Sequence, residues 1–190
     1  MNKLIDVIIA VDIGLSGGIA FFDCSEFNHA GKGLLSIHKM PTQKIVTKSG
    51  KDKNVVDLDK LKFLLEIPKE HTESALLVME DVHAFPGQGV VSSASLLEQK
   101  GILKGMATAF GYDILLVSPK EWQKSFGIVA PKDLRGSTAA KTKTIRKKWL
   151  KERSLETSKS LFPEWEEKIG SLDGLSDSVL IGAWTMNLDS

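Results

Sequence analysis

The sequence predicts an α/β fold in which a five-stranded mixed β-sheet is flanked by α-helices. Three apolar runs separated by turn residues fill the first forty positions, which is typical of strands joined by short connections. Two further apolar runs, 75–80 and 114–117, alternate with segments of helical periodicity. Strands in succession, followed by strands alternating with helices, indicate one mixed sheet covered by helices. With 190 residues, 42% of them hydrophobic, the chain is expected to form a single domain, 1–190.

Turn and helix signals divide the chain around these strands. The first three strands are predicted at 7–13, 19–23 and 34–40, and the lysine-rich stretch 42–54 is predicted to be an exposed loop. Leucines at helical spacing predict a helix over 55–67 that ends at Pro68. The remaining helices are predicted at about 92–110, 120–126, 138–152 and 173–187, with a loop over 127–137.

Charge is divided unevenly along the chain. The net charge is +1, but residues 141–153 contain seven basic residues and one acidic residue, so the rest of the chain is net acidic. This division suits a protein that binds phosphates with one surface and a cation with another, although a solvated helix face is the alternative interpretation. The single cysteine, Cys24, excludes an internal disulfide, and no run reaches the ~20 apolar residues that cross a bilayer. The sequence therefore predicts a soluble, cytoplasmic protein.

Two acidic residues each stand at the end of an apolar strand. Asp12 ends the first strand and is followed by Gly14 and the pair Gly17-Gly18, and Glu80 ends a later strand. Burying an unpaired carboxylate at a sheet edge costs free energy, and a turn-capping role for Asp12 is the alternative. Because two strands show the same pattern, we expect both carboxylates to serve a common site.

A second acidic pair, Asp173 and Asp177, lies near the C-terminus at a spacing of four residues. On a helix this spacing puts both carboxylates on one face, where they repel each other unless Asp173 only caps the helix or a cation lies between them. Hard cations with oxygen ligands relieve such repulsion. Four acids at one sheet edge therefore predict Mg²⁺, with Mn²⁺ as a substitute. A pair of such ions can activate water and stabilise the leaving oxygen in phosphodiester hydrolysis.

The order of these motifs resembles the RuvC-like crossover junction endodeoxyribonucleases, the Holliday junction resolvases of the ribonuclease H superfamily, especially the shorter phage-encoded type. The matching segments are VDIGLSGGIA around Asp12, VMEDVHAFPGQGVVSSASLLEQKGILKGMATAFGY around Glu80, VSPKEWQKSFG, and DGLSDSVLIGAW around Asp173 and Asp177. The resemblance implies a ribonuclease-H-like fold and a homodimer that nicks two strands of a four-way junction symmetrically, leaving ligatable ends. It also implies action inside a cell, the bacterial host in the case of a phage-encoded protein.

The resemblance assigns roles to particular residues. Asp12, Glu80 and Asp177 match the family's metal-binding acids, while Asp173 lies four residues before Asp177 where many bacterial members have a spacing of three. Lys124 and Lys141 resemble the family's basic residues near the scissile phosphate, so Lys124 joins the four acids as a predicted catalytic residue. The predicted DNA contacts are Lys120, Lys124, Lys141, Lys143, Arg146, Lys147, Phe85 and His83.

Three features each allow two interpretations. Phe85, in a Pro-Gly loop, either wedges against unstacked bases at a junction centre or anchors its loop in the core. His83 either touches DNA or the metal site, or is a loop residue with local partners. Gly101, Gly105 and Ala109, spaced four apart on a predicted helix, permit close packing against a second protomer or against the sheet.

Other functions are compatible with parts of this pattern. A less selective nuclease acting on forks, flaps or RNA–DNA hybrids needs the same carboxylates, and a non-catalytic junction-binding protein needs only the fold and the basic helix. An actin-like ATPase or sugar kinase has an Asp-x-Gly turn like that of Asp12 to Gly14. Such a protein also needs a second phosphate loop on a duplicated domain, and this sequence contains no second Asp-x-Gly strand turn.

Overall fold

The computed structural model describes residues 5–26, 33–72, 74–83 and 89–187, and two β-sheets lie within them. The strands are β1 (Val7–Asp12), β2 (Gly18–Asp23), β3 (Leu34–Lys39), β4 (Thr42–Val46), β5 (Asp52–Val56), β6 (Ala75–Glu80) and β7 (Asp113–Val117). The larger sheet has five strands in the order β3-β2-β1-β6-β7. β1 pairs antiparallel with β2 and parallel with β6, and β6 pairs parallel with β7. The predicted five-stranded mixed sheet is confirmed.

Helices cover both faces of this sheet. They are α1 (Leu58–Glu66), α2 (Val90–Phe110), α3 (Pro119–Ser125), α4 (Ala139–Leu161), α5 (Glu166–Ile169) and α6 (Asp173–Met186). Side chains of β1 alternate between two buried layers, with Ile8 and Ala10 in the layer that includes α6, and Ile9 and Val11 in the layer that includes α1 and α2. Because both faces are covered, β1 and β6 are apolar along nearly their whole length rather than alternating with polar residues.

The parallel strands bring two predicted site residues to the same end of the sheet. β1 and β6 run side by side in register, with Val11 opposite Met79, so Asp12 and Glu80 follow at the C-terminal ends of neighbouring strands. We call this end of the sheet the carboxyl edge. The β1–β2 turn and the first turn of α6 also lie there, because Gly17 and Gly174 form an isolated β-bridge.

Glycine at three positions allows this turn and helix to meet backbone to backbone. A Cβ on Gly18 would lie 2.5 Å from the Gly174 carbonyl oxygen, and a Cβ on Gly174 would lie 2.2 Å from the Ser16 carbonyl oxygen. A Cβ on Gly17 would lie 2.0 Å from the Asp12 carbonyl oxygen. The Gly17-Gly18 pair therefore has a packing role that brings the start of α6 against the end of β1.

The predicted loop over 42–54 is wrong, because this stretch forms an antiparallel hairpin of β4 and β5. Its strands are almost wholly exposed, so they show no alternation of buried and exposed side chains by which sequence patterns identify a strand. The turn between them uses Gly50 at φ +76° and hydrogen bonds between Thr47 and Lys51. We call residues 42–56 the basic hairpin, since they carry four lysines and one aspartate before Asp57.

The predicted basic helix starts where expected but continues further. Thr138 caps α4 by accepting a hydrogen bond from the Lys141 backbone N–H at 3.2 Å, and the helix runs to Leu161 instead of ending near residue 152. Serines disfavour helices in isolation, which hid the second half of α4. There Ser154 and Ser158 are buried, and the Ser158 hydroxyl lies 2.9 Å from the Ser176 hydroxyl of α6. The short helix α5 was also not predicted.

None of the helices within the described residues combines the length and hydropathy needed to cross a lipid bilayer.

Replacing Gly174 with alanine is expected to destabilise the fold. The added Cβ would overlap the Ser16 carbonyl oxygen and lie 2.6 Å from the Gly17 Cα, so turn and helix must separate at a cost of about 1–3 kcal/mol. Gly105→Ala is the matched control, because a Cβ there meets no heavy atom within 4 Å and alanine favours the helix by up to ~1 kcal/mol. Urea unfolding measures both variants, and equal stability would contradict the close contact.

Candidate active site

Asp12 lies at the centre of a group of acids on the carboxyl edge. Burial is the largest cause that raises the pKa of its carboxyl well above the usual range, and the negative charges of Asp177, Glu80 and Asp173 raise it further. The positive charge of Lys151 partly offsets this effect. An acid with these neighbours resists ionisation unless a cation compensates it. The structure therefore brings together the four acids that the sequence singled out.

Glu80 is oriented by a tryptophan from a separate helix. The indole N–H of Trp122 donates a hydrogen bond to Glu80 Oε1 at 3.0 Å. Trp122 is fully buried, and its helix α3 begins with Pro119 and a capping box between Ser118 and Glu121. Burial raises the pKa of Glu80, and the hydrogen bond from Trp122 lowers it. Nothing in the position of Trp122 in the sequence marks its contact with Glu80.

Asp173 and Asp177 project from the first two turns of α6. Burial and the charge of Glu80 raise the pKa of Asp177 to about 7, while a hydrogen bond from Ser154 lowers it. Asp177 Oδ1 is buried and has no hydrogen-bond partner among the described residues. Asp173 forms an ion pair with the Lys151 ammonium group. The two aspartates thus face the same cluster but have different partners.

Helix α4 supplies a column of polar side chains that meets α6. Lys151, Ser154 and Ser158 recur at helical spacing and contact Asp173, Asp177 and Ser176 respectively. Lys151 and Ser154 were not among the site residues that the sequence predicted. Their i, i+3, i+7 spacing puts them on one face of a helix extended past residue 152, but the spacing does not show which side chains that face meets.

The donor set suits a hard divalent cation, but the side chains do not form a ready-made cage. Within residues 5–26, 33–72, 74–83 and 89–187, no three His, Cys, Asp or Glu side chains are arranged to hold a metal ion. Carboxylate oxygens are the ligands that Mg²⁺ prefers, and the unpartnered Asp177 Oδ1 and the mutual repulsion at Asp12 both favour a cation there. Cation binding would require these side chains to rotate. In the present arrangement the Lys151 ammonium group pairs with Asp173, where the cation would otherwise bind.

The predicted lysines lie on the exposed faces of two helices. Lys120 and Lys124 are on α3, and Lys141, Lys143 and Lys147 are on the first half of α4, all with exposed side chains. Lys151, further along α4, pairs with Asp173, and the predicted catalytic role of Lys124 stays a prediction.

Arg146, also a predicted DNA contact, has local partners. Its guanidinium donates hydrogen bonds to the carbonyl oxygens of Leu134, Pro131 and Lys132 at 3.0–3.2 Å. These bonds hold the loop that precedes α4 against the helix, which gives Arg146 a structural role.

The residues after β6 are engaged with one another. His83 Nε2 lies 3.1 Å from Asp81 Oδ2, and Lys100 Nζ donates to Asp81 Oδ1 at 2.6 Å. The hydrogen bond from Lys100 is the largest cause that lowers the pKa of Asp81. Asp81 is therefore balanced by the Lys100 ammonium group, whereas its neighbour Glu80 belongs to the acidic cluster. Phe85 lies outside the described residues, and its predicted roles stay predictions.

The small-residue positions of α2 face outward. A Cβ on Gly101 or Gly105 would meet no heavy atom within 4 Å, so this stripe does not pack on the sheet within the described part of the chain. Val90, Val91 and Leu97 on the same helix are also exposed, at 83%, 78% and 43%. The sequence left open whether this stripe packs against the sheet or against a second protomer. Because the stripe does not contact the sheet among the described residues, packing against a second protomer is the interpretation that stays a prediction.

Solved structures similar to this fold include a Thermus thermophilus RuvC structure and T. thermophilus RuvC in complex with a Holliday junction substrate. Each alignment covers 96% of this chain and 95% of that chain, with TM-scores of 0.53 and 0.52 at 12% and 8% identity. A Fowlpox virus resolvase in complex with Holliday junction DNA aligns over 95% of this chain and 99% of that chain at 14% identity, with a lower TM-score of 0.46. The sequence matches no protein-family model and no curated protein. The fold is ribonuclease-H-like, as in the RuvC resolvases.

The raised pKa of Asp177 predicts that the metal-free protein loses stability as pH rises. A carboxyl with a folded pKa of about 7, against an ordinary 3.8, binds more protons folded than unfolded, so the free energy of unfolding falls between these values. Asp177→Asn is expected to remove this penalty and to stabilise the protein at about pH 8 by roughly 2–4 kcal/mol, with little effect at about pH 4.

Urea unfolding in a chelator at several pH values measures this difference. Asp81→Asn is the control of opposite sign, because pairing with Lys100 lowers the pKa of that carboxyl, so its loss removes stability at neutral pH. A wild-type protein whose stability relative to Asp177→Asn does not change with pH would contradict the prediction.

Proposed function

We propose that this ribonuclease-H-like chain is a metal-dependent, structure-specific endonuclease that hydrolyses phosphodiester bonds in branched DNA, with four-way junctions as its main substrate. The proposal rests chiefly on the electrostatic cluster of Asp12, Glu80, Asp173 and Asp177 at the carboxyl edge. These acids come from two parallel strands and one helix. Such convergence is unfavourable in a metal-free protein, so it calls for a functional reason.

The acids would hold two Mg²⁺ ions, or Mn²⁺ as a substitute. Bound ions of this kind supply an activated water and stabilise charge on the leaving oxygen. Asp12, whose pKa is raised by the charges of all three other acids, is the expected central ligand, and Glu80 is held in one orientation by Trp122. Ser154 positions Asp177, and Asp173 becomes available when Lys151 releases it. Fixed positions matter because the site contributes to the rate mainly through geometry and charge.

A dimer would place two such sites on one junction. The likeness to RuvC in complex with a Holliday junction substrate supports a branched substrate, and symmetric nicking needs one active site for each of two strands. The exposed apolar side chains of α2, Val90, Val91 and Leu97, support a second copy of this chain as the partner of that face. The lysines of α3 and the first half of α4 would bind the phosphates of the DNA.

Asp12→Asn is expected to abolish DNA cleavage while leaving DNA binding in place. The purified protein is incubated with Mg²⁺ and a synthetic four-way junction, a fork, a flap, a duplex and an RNA–DNA hybrid. Wild type should produce paired, symmetric nicks in the junction, and the variant should lose at least about 10³-fold in rate, equivalent to ~4 kcal/mol. Asp81→Asn, which alters an acid outside the cluster, is the matched control and should retain cleavage.

Two outcomes would reject this function. Tight junction binding without cleavage in Mg²⁺ or Mn²⁺ would indicate a non-catalytic binding protein. Undiminished nicking by Asp12→Asn would locate the chemistry elsewhere. Equal rates on junctions, forks and hybrids would support a nuclease with a broader substrate class than four-way junctions.

Sedimentation of the same purified protein tests whether it is a dimer.

Lys151→Met is expected to tighten metal binding in the absence of DNA. Lys151 pairs with Asp173 and lowers the pKa of both Asp12 and Asp177, so its charge competes with a cation for the same acids. Calorimetric titration with Mn²⁺ should give a Kd that is lower by severalfold, about 1 kcal/mol or more. Lys148→Met, which removes an exposed charge paired with Glu152 on the same helix, should leave the Kd unchanged, and an equal or weaker Kd for Lys151→Met would contradict the competition.

A further inference from the structure

The basic hairpin is attached directly to the carboxyl edge. Its first strand follows Met40, whose backbone N–H donates to the Gly17 carbonyl oxygen at 2.9 Å. The two ends of the hairpin are joined by a hydrogen bond from the Asp57 N–H to the Pro41 carbonyl oxygen at 3.0 Å. Met40 and Val56 are buried in the core. The base of the hairpin is therefore fixed beside the turn that follows Asp12.

The lysines of the hairpin have no acidic partners among the described residues. Lys44, Lys48, Lys51 and Lys53 are exposed, and none of them takes part in the ion pairs that other lysines of the described chain form. The turn that carries Lys48 and Lys51 is ordered by main-chain hydrogen bonds of Thr47, including 2.9 Å from its N–H to the Lys51 carbonyl oxygen. A hydrogen-bonded strand pair with unpaired lysines at its tip is suited to bind a polyanion.

A groove links the hairpin to the active-site turn. Gln43 and Lys53 of the hairpin line it together with Leu15 of the β1–β2 turn and Glu98 and Gln99 of α2, around a cavity of about 230 Å³. This groove is on the α2 side of the sheet, whereas α4 packs on the α6 side through Trp149, Leu150 and Leu155. The acidic cluster at the carboxyl edge thus has a basic element on each side.

We propose that the basic hairpin is a second DNA-binding surface, which holds the phosphate backbone of one duplex arm while α3 and α4 hold DNA on the opposite side of the acids. This inference rests on the proposed function and adds a binding surface to it. Strands of five residues rise about 3.3 Å per residue, so the tip reaches roughly 17 Å from the base. DNA that reaches the acids is repelled by them, and lysines on both sides offset that repulsion.

The decisive measurement is the salt dependence of DNA binding. Junction and duplex binding are measured by fluorescence anisotropy in the Asp12→Asn background, so that cleavage does not interfere. The hairpin variant replaces Lys44, Lys48, Lys51 and Lys53 with glutamine, and a second variant carries only Lys48→Gln and Lys51→Gln at the turn. Lys62→Gln with Lys69→Gln, on the segment after the hairpin, is the matched control for the double variant.

Removing one lysine–phosphate interaction should reduce the slope of log K against log salt by about 0.9. For the variant with four substitutions, we expect the magnitude of the slope to fall by roughly 2–4 and the affinity to fall at least tenfold. The turn variant should show about half of each change, and the control variant should show neither. In the catalytically active background the same substitutions should raise KM and leave kcat within about twofold, because they remove binding rather than chemistry. Circular dichroism verifies the fold, and the turn variant keeps every main-chain bond of the hairpin.

The outcomes separate this inference from the proposed function. A wild-type protein that cleaves junctions, with hairpin variants that bind DNA with the slope and affinity of the control, overturns the inference alone. A wild-type protein that cleaves no DNA, but whose binding slope depends on the hairpin, rejects the nuclease and supports the hairpin surface. Weaker affinity without any change in slope also overturns the inference, because the lysines would then act through something other than phosphate binding.

Discussion

The backbone contact between the β1–β2 turn and the first turn of α6 is the constraint on which the acidic cluster depends. Gly17, Gly18 and Gly174 leave no room for a Cβ, so the helix starts directly against the strand end that carries Asp12. A helix displaced by one side-chain layer would take Asp173 and Asp177 out of range of Asp12. Backbone packing between glycines therefore determines how close the four carboxylates lie. In the sequence, Gly17-Gly18 after Asp12 indicated only a turn, and the contact with Gly174 was not predicted.

The cluster is unfavourable for the metal-free fold. Three of its four acids have a raised pKa, and burial is the largest cause in each case. The compensating contacts come from side chains of other helices: the Trp122 indole on Glu80, the Ser154 hydroxyl on Asp177 and the Lys151 ammonium on Asp173. Within the described part of the chain, each acid has one such contact except Asp12, which is the group that most needs a cation. This pattern is typical of functional sites whose residues lower the stability of the folded protein.

The sequence predicted well what depends on local pattern. Apolar runs located the five strands, and the positions of Asp12 and Glu80 at their ends followed from the parallel direction of β1 and β6. The basic hairpin was not predicted, because its strands bury almost no side chains and so show no periodic pattern of apolar residues. Lys151 and Ser154 were not predicted as site residues, because their role depends on the tertiary contact between α4 and α6. Trp122 illustrates the same limit, since burial was predictable and its hydrogen-bond partner, 42 residues away in the chain, was not.

Helix α4 carries exposed lysines at its start and the side chains that contact the acidic cluster in its middle. Its first turns carry Lys141 and Lys143 in solvent, and its middle carries Lys151 and Ser154 against the acids of α6. At 1.5 Å per residue, the ten residues between Lys141 and Lys151 span about 15 Å. In the proposed nuclease, a phosphate bound at the exposed end would lie about that far from the acids, and the length of the helix would determine which bond along a strand reaches them.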